Sequence, residues 1–264
     1  MKISSIRHTI LNLINQSFFY FEIKIVRIEF LGLNKTKPAK YFRYPSLPLT
    51  NDFLIRFAEK CDSLIDIGCN QGKFAEHFEF INPNKPWALI EPIPELIENL
   101  RKKFYARSSK TLFINSALGQ NNGISSFYVT SNDGQSSSIL KLGEKHIKAS
   151  PDALETAEIK VQVKTLDSLL PDFDFKKVFM KIDVQGTELQ VLKSGVQFLK
   201  NVFAIHIEVS MQHLYVGDDL GFKIWQFLSE QGFYLYGIDP WFRSKNLNGE
   251  LLQADFFFVK SHSH

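Results

Sequence analysis

The chain is poor in cysteine and has no long apolar run. Among its 264 residues only Cys61 and Cys69 carry thiols. Two thiols cannot build a disulfide framework or a four-thiolate zinc site, and they fit a reducing, cytoplasmic compartment best. No stretch approaches the roughly 20 apolar residues of a membrane span. Polar residues interrupt the hydrophobic segment 10–21, so we also expect no secretory signal.

Charge is distributed unevenly along the chain. The net charge is +3, yet residues 1–43 contain eight basic and two acidic residues and so carry +6. Apolar residues at spacings of three and four over 3–14 predict an amphipathic helix, and three prolines within 35–48 predict a linker. We therefore expect a basic helical arm over residues 1–50, followed by one domain over 51–264. The arm could be a solvated helix face, contact an anionic membrane surface or pair with a second subunit.

From residue 51 onward, strand-like and helix-like segments alternate, which predicts parallel βαβ units of an α/β fold. Strands are predicted at 63–67, 87–90, 111–114, 178–182 and 204–209. Helices are predicted from Asn51 or Asp52 to 60 and at 73–80, 94–104, 187–199 and 222–231. The rhythm breaks over about 120–165, where strands at 125–130 and 159–163 predict an insertion on the sheet. The last strands, 233–238 and 255–259, are expected to pair as an antiparallel hairpin.

A glycine-containing loop follows the first predicted strand and precedes a helix. Its sequence is Asp66-Ile67-Gly68-Cys69-Asn70-Gln71-Gly72. Glycines at such a corner let the backbone approach a ligand closely. The spacing is G-x-x-x-G rather than the G-x-G-x-x-G of dinucleotide binders, which disfavours a diphosphate ligand. Asp66 suits the ammonium of an amino-acid moiety, although a plain strand–turn–helix would show the same pattern.

Polar residues also follow the next two strands. Glu91 comes 25 residues after Asp66, a spacing typical of a carboxylate that accepts both ribose hydroxyls. Pro92 follows it directly. After the third strand, Asn115 and Ala117 are suited to line an adenine pocket. Because open α/β sheets bind ligands outside the carboxyl ends of their strands, these residues should share one crevice.

Two further acids are candidates for chemistry on a hydroxyl group. Asp183 follows the strand 178–182, and Glu208 lies near the end of 204–209. Either acid can orient or deprotonate a hydroxyl, so we assign both as catalytic candidates. Two neighbouring acids could instead hold a divalent cation, but no third ligand is evident and we expect no metal site. His206 is expected to be structural, and His213 is a weaker acid–base candidate.

These motifs together resemble the FkbM family of methyltransferases over about residues 63–259. The resemblance is carried by LIDIGCNQGKF, LIEPIPELIENL, INSALG, IHIEVS and above all KIDVQGTELQVLKSG. In that last block the residues that occupy the family's positions are Lys181, Asp183, Gly186, Glu188 and Leu192. Gln185 departs from the family, which usually has an acid at this position. A role that needs charge there is therefore not expected.

The resemblance implies a class I, Rossmann-like methyltransferase fold with a seven-stranded, mostly parallel sheet and an antiparallel last strand. It also implies S-adenosylmethionine as the cofactor and methyl transfer to a hydroxyl, often of a sugar or polyketide-type acceptor. The expected cofactor-binding residues are Asp66, Gly68, Asn70, Gly72, Glu91, Pro92, Asn115, Ala117 and Asp183. The expected acceptor is a sugar or glycan, in a site shaped by residues 136–138 and the 241–243 loop.

Two other functions stay open at this point. A nicotinamide-dependent oxidoreductase would use the same strand, loop and ribose acid, although the missing G-x-G-x-x-G disfavours it. A non-catalytic module that binds a nucleoside would also fit the motifs. A nucleic-acid partner is not expected, because the chain after residue 43 is net negative and shows no aromatic–basic stacking strip.

Overall fold

The computed structural model describes residues 49–172, 175–244 and 248–261. The predicted arm and linker lie outside the described residues, so the domain division at residue 50 stays a prediction. Within the described part of the chain, no helix has the length and apolar character needed to cross a membrane.

Helices and strands alternate along most of the described chain. The helices are α1 (Leu49–Ala58), α2 (Lys73–Ile81), α3 (Pro94–Lys103), α4 (Glu144–Ala149), α5 (Glu188–Lys193) and α6 (Gly221–Glu230). The strands are β1 (Ser63–Ile67), β2 (Trp87–Ile90), β3 (Thr111–Ile114), β4 (Ala117–Leu118), β5 (Gly123–Thr130), β6 (Glu155–Lys164), β7 (Val178–Ile182), β8 (Val202–Ser210), β9 (Phe233–Arg243) and β10 (Leu251–Lys260). Short 3-10 helices cover Tyr105–Lys110, Asp167–Asp172 and Phe198–Asn201.

Seven strands form the main sheet, in the order β3-β2-β1-β7-β8-β10-β9. The first five of these pair in parallel, whereas β10 is antiparallel to both β8 and β9. The last strand of the chain is thus the antiparallel one, and the predicted fold class and final hairpin are confirmed. The chain builds the sheet outward from β1 in both directions, so a crevice forms where β1 and β7 lie side by side.

The central strands are buried along their whole length. Every residue of β1, β2, β7 and β8 is buried. Helices covering both faces of a parallel sheet explain why these strands are nearly continuous apolar runs. Burying a polar side chain inside these strands costs more free energy than placing it at a strand end. Asp66, Glu91 and Asp183 lie at or next to strand ends.

Two predicted helix boundaries are wrong. α1 begins at Leu49, so Asp52 is in its first turn and bonds Arg56 rather than capping the helix. The helix predicted over 187–199 ends at Lys193. There the Ser194 hydroxyl donates to the Val191 carbonyl (2.8 Å) and accepts from the Leu166 N–H (3.0 Å). A side chain that satisfies the backbone locally in this way competes with helix continuation.

The predicted insertion is confirmed as a second, three-stranded sheet in the order β4-β6-β5. It has its own small core, formed by Ala117, Phe127, Val161 and Val163. Its hydrogen bonds to the loops that follow β1 and β7 include one from Asn70 Nδ2 to the Asp133 carbonyl (3.0 Å) and one from the Ser138 hydroxyl to the Gln185 carbonyl (2.7 Å). The insertion therefore stands over the carboxyl ends of the main strands.

Candidate active site

A cavity of about 470 Å³ lies outside the carboxyl ends of β1, β2, β7 and β8. Its walls come from these strand ends, from the insertion and from the end of β9. The predicted site residues that line it are Asp66, Gly68, Asn70, Glu91, Pro92, Ala117, Asp183 and Glu208. Gly72 and Asn115, which were also predicted, are not among its lining residues.

Asp66 lies at the end of β1 and is 1% exposed. Its Oδ2 atom has no hydrogen-bond partner among the described residues. Burial raises the pKa of this carboxyl to about 7; the Lys181 charge opposes the rise, and the charges of Asp183 and Glu91 add to it. Because an unpaired buried carboxylate is costly, this oxygen is suited to receive a cationic or hydrogen-bonding group from a ligand.

Glu91 is fixed by the turn that follows β2. Its Oε2 accepts a hydrogen bond from the Asn70 N–H (2.9 Å), and its Oε1 accepts one from the Ile93 N–H (3.0 Å). Burial raises the pKa of Glu91 to about 7, against the effect of these two N–H donors. Each carboxylate oxygen has two lone pairs, so both oxygens can still accept a hydrogen bond from a ligand hydroxyl.

Gly72 and Asn115 support the loop from outside the cavity. Gly72 has a φ of 72° at the start of α2, and a Cβ there would lie 2.7 Å from Leu100 Cδ2. Asn115 Nδ2 donates to the carbonyl oxygens of Glu91 (2.9 Å) and Pro92 (3.0 Å). Asn115 thus fixes the turn that carries Glu91, while its neighbour Ser116 lines the cavity with a buried hydroxyl that has no partner in the described part.

The two predicted catalytic acids are joined by an amide. Gln185 Nε2 donates to Asp183 Oδ1 (2.6 Å) and to Glu208 Oε1 (2.7 Å). Gln253 Nε2 donates a second hydrogen bond to Glu208 Oε1 (2.7 Å). On the other side, Lys181 Nζ lies 3.2 Å from Asp183 Oδ2. A neutral donor at position 185 therefore bridges two carboxyl groups, where an acid would add a third negative charge.

Glu208 and Lys181 both favour their protonated forms in this network, so Glu208 tends to be neutral and Lys181 charged. Burial raises the pKa of Glu208 well above its usual value, and the Asp183 charge adds to this effect. Burial would lower the pKa of Lys181, but the nearby carboxylates, Asp183 first, outweigh it and raise that pKa. Lys181 is consequently a permanent cation beside Asp183, and Glu208 favours its neutral form.

The remaining candidates from the sequence have other surroundings. His206 is buried, with Nε2 3.1 Å from Asp255 Oδ1, in the structural position expected of it. His213 Nδ1 lies 2.6 Å from Asp218 Oδ1, but its side chain is 67% exposed and does not line the cavity. Glu188 accepts hydrogen bonds from the Gly186 N–H (3.1 Å) and so holds the turn after β7.

Three residues in or next to the cavity were not predicted from the sequence. His146 and Gln253 line the cavity, and Tyr215 lies behind Gln185, with its hydroxyl donating to Gln185 Oε1. None of the three directly follows a parallel strand of the main sheet, so a search of strand ends does not find them. As for the alternative cation site, the described residues contain no group of three or more His, Cys, Asp or Glu side chains placed to hold a metal ion.

The chain matches known proteins over the part that builds this cavity. The family model of the methyltransferase FkbM domain matches residues 66–235. The 2-O-methyltransferase NoeI of Sinorhizobium fredii is 27% identical over 171 residues, which cover 62% of this chain and 70% of NoeI.

Two solved structures are similar to the chain at low identity. The methyltransferase FkbM of Methylobacillus flagellatus is 14% identical, with a TM-score of 0.47, over 83% of this chain and only 46% of its own length. Precorrin-6y C5,15-methyltransferase of Geobacter metallireducens is 14% identical, with a TM-score of 0.44, over 84% of this chain and 94% of its own. The family match spans more than half of the chain and includes the four cavity acids Asp66, Glu91, Asp183 and Glu208. The protein therefore belongs to the FkbM family of methyltransferases.

Proposed function

We propose that the protein is an S-adenosylmethionine-dependent O-methyltransferase that acts on a hydroxyl group of a sugar or glycan. The observation that carries the proposal is the division of one cavity into two halves. Asp66 and Glu91 form one half at β1 and β2, and Asp183 and Glu208 form the other at β7 and β8. The likeness to a 2-O-methyltransferase supports transfer to oxygen.

The first half fits the cofactor. The unpaired Asp66 oxygen would accept the amino-acid ammonium, and the two oxygens of Glu91 would accept the ribose hydroxyls. Ser116 and Ala117 would border the base. When bound, S-adenosylmethionine supplies an electrophilic methyl group on a positively charged sulfur. The chain then has to align an acceptor oxygen with that methyl group and exclude water.

The second half fits a hydroxyl-bearing acceptor. Asp183 is held by Lys181 and Gln185 and would orient the acceptor by accepting a hydrogen bond from one of its hydroxyls. In its neutral form Glu208 would donate to a neighbouring hydroxyl or ring oxygen. Trp241 and Phe242 line the same cavity, and aromatic faces are suited to the apolar faces of sugars.

The location and the N-terminal arm are also part of the proposal. Cys61 and Cys69 are both buried and unpaired, which supports a reducing, cytoplasmic compartment. Residues 1–50 would act as a separate basic segment toward a membrane surface or a second subunit.

Calorimetry with S-adenosylmethionine, S-adenosylhomocysteine and NAD tests the cofactor. We expect both sulfur nucleosides to bind and NAD not to bind. Binding of NAD alone would favour the oxidoreductase instead, and binding without any transfer would favour a non-catalytic module.

A methyl-transfer screen tests the acceptor. It would use nucleotide sugars, lipid-linked glycans and polysaccharides, with detection of released S-adenosylhomocysteine and of the mass of one added methylene. We expect transfer to at least one glycan at a hydroxyl oxygen. Transfer only to nitrogen or carbon of non-carbohydrate acceptors would contradict the proposed reaction.

A further inference from the structure

His146 is a side chain of the cavity that the network described above does not use. It lies in α4, within the insertion, lines the cavity and is 2% exposed. Neither of its ring nitrogens has a hydrogen-bond partner among the described residues. Burying an imidazole without hydrogen-bond partners costs free energy, and a ligand that supplies a partner would offset this cost.

The surroundings of His146 place it on the acceptor side. Its ring packs edge-on against the Tyr215 ring, with centroids 5.3 Å apart. The Tyr215 hydroxyl donates to Gln185 Oε1, and the other end of that amide donates to Asp183 and Glu208. His146 is therefore connected to the two acids of the acceptor half through Tyr215 and Gln185, whereas the hydrogen bonds of the ribose acid Glu91 run to Asn70 and Ile93.

The electrostatic surroundings favour a neutral ring. Burial lowers the pKa of His146 below its usual value, so one ring nitrogen carries a free lone pair at pH 7. On its own helix, Glu144 pairs with Lys148, and Lys145 pairs with Glu250. The titratable groups from other elements are the Tyr215 phenol, which contacts its ring, and those that line the same cavity: Lys73, Lys181, Asp66, Glu91, Asp183 and Glu208.

Glu208 is a poor proton acceptor by comparison, because burial raises its pKa and it favours its neutral form. Asp183 already accepts hydrogen bonds from Gln185 and Lys181, which hold its carboxylate in place. We propose that His146 is the general base that removes the proton from the acceptor hydroxyl, an inference that rests on the proposed methyl transfer. His146 accepts the proton of the reacting hydroxyl, and Asp183 holds the acceptor through a neighbouring hydroxyl.

With His146 as the base, atoms and charge balance in the methyl-transfer step. The hydroxyl oxygen forms a bond to the methyl carbon as the carbon–sulfur bond breaks, and the electron pair of the broken bond stays on sulfur. The hydroxyl proton passes to the free imidazole nitrogen of His146 and leaves to solvent with the products. The positive charge thus moves from sulfur to the ring. General base catalysis of this kind contributes about 10²–10⁴-fold in rate.

The test compares His146→Gln with His77→Gln. His77 is a matched control because burial also lowers its pKa, yet it lies in α2 and does not line the cavity. We expect both variants to bind S-adenosylhomocysteine within about twofold of wild type. On the best glycan of the screen, His146→Gln should lose at least about 100-fold in kcat, whereas His77→Gln should stay near wild type.

Three readouts separate a base from a packing residue. The ratio of wild-type to His146→Gln kcat should fall toward one at pH values below the His146 pKa. NMR titration of labelled histidine, assigned with the variant, should give His146 a pKa below the usual 6.5 in the S-adenosylhomocysteine complex. Added imidazole should restore part of the kcat of His146→Ala.

The inference would be overturned by a kcat of folded His146→Gln within threefold of wild type, or by a His146 ring that is protonated at pH 7. A loss of S-adenosylhomocysteine affinity as large as the loss of kcat would also overturn it, because His146 would then belong to the cofactor side. A wild-type protein that binds neither sulfur nucleoside would instead contradict the proposed function.

Discussion

Gly68 approaches the main chain of Asp183 so closely that a Cβ atom on it would lie 1.8 Å from the Asp183 carbonyl oxygen. The Asp183 N–H also donates to the Ile67 carbonyl (2.9 Å). The corner after β1 is therefore joined directly to the corner after β7. The glycine is required by the neighbouring strand end as well as by any ligand that occupies the cavity.

Replacement of Gly68 by alanine should therefore disrupt the site and destabilise the fold. A Cβ atom at residue 68 would have to displace the Asp183 backbone, and the φ of +75° at this residue is itself unfavourable for alanine. We expect Gly68→Ala to lower the free energy of unfolding by about 3 kcal/mol or more in urea denaturation. Gly123→Ala in β5 is the control, because its Cβ meets nothing within 4 Å among the described residues. Equal stability of the two variants would contradict this account.

Asp66→Asn should separate cofactor binding from folding. The amide keeps the shape but loses the charge, so we expect the affinity for S-adenosylhomocysteine to fall about 10–100-fold in calorimetry. The free energy of unfolding of the ligand-free protein at pH 8 should rise by about 1–3 kcal/mol, because a desolvated carboxylate has been removed. Asp62→Asn is the control: its carboxylate accepts from Ser63 and Lys176 at the opposite end of β1. Unchanged affinity in Asp66→Asn would remove Asp66 from the cofactor site.

Cofactor affinity and stability of the free protein should depend on pH in opposite directions. Burial raises the pKa of Asp66 to about 7, above its unfolded value of 3.8. This group therefore favours folding below pH 3.8, and that contribution is lost as the pH rises toward 7. A ligand ammonium requires the ionised form, so S-adenosylhomocysteine should bind about tenfold more tightly at pH 8 than at pH 6. Calorimetry at both pH values checks this, and Asp66→Asn should show a flatter dependence.

Gln185→Glu should test the amide bridge between the two acids. The change removes the donors to Asp183 and Glu208 and adds a carboxyl group between them. We expect the free energy of unfolding at pH 8 to fall by about 2–4 kcal/mol, and by less at pH 5, where a protonated Glu can donate. Gln190→Glu on α5 adds the same charge away from the cavity and should have little effect. A Gln185→Glu protein as stable as wild type would show that the bridge is dispensable.

The sequence predicted the cofactor half better than the acceptor half, for a physical reason. Asp66 lies near the end of buried strand β1 and Glu91 directly follows buried strand β2, so hydrophobic pattern and strand order suffice to bring them together. His146 reaches the cavity only because the insertion folds back over the sheet, a relationship with no local signature. Gly72 and Asn115 were correctly placed near the loop, yet they contact the protein rather than the cavity.

Strand bounds were also easier to predict than helix bounds. The limits of β1, β2, β3 and β7 agree with the sequence prediction, because each is a short apolar run bounded by polar residues. The early end of α5 depends on a hydrogen bond from the Leu166 N–H to the Ser194 hydroxyl across 28 positions of sequence. The hydrophobic pattern of the helix segment alone contains no information about such a distant contact.

The hydrogen bond from Asn70 to the Asp133 carbonyl has a consequence for how the two ligands influence each other. Asn70 belongs to the cofactor loop and also donates its N–H to Glu91, while Asp133 belongs to the insertion that borders the acceptor. A ligand that orders one of these turns lowers the entropic cost of ordering the other. Cofactor and acceptor should therefore bind with positive cooperativity, and by thermodynamic reciprocity each should raise the other's affinity by the same factor.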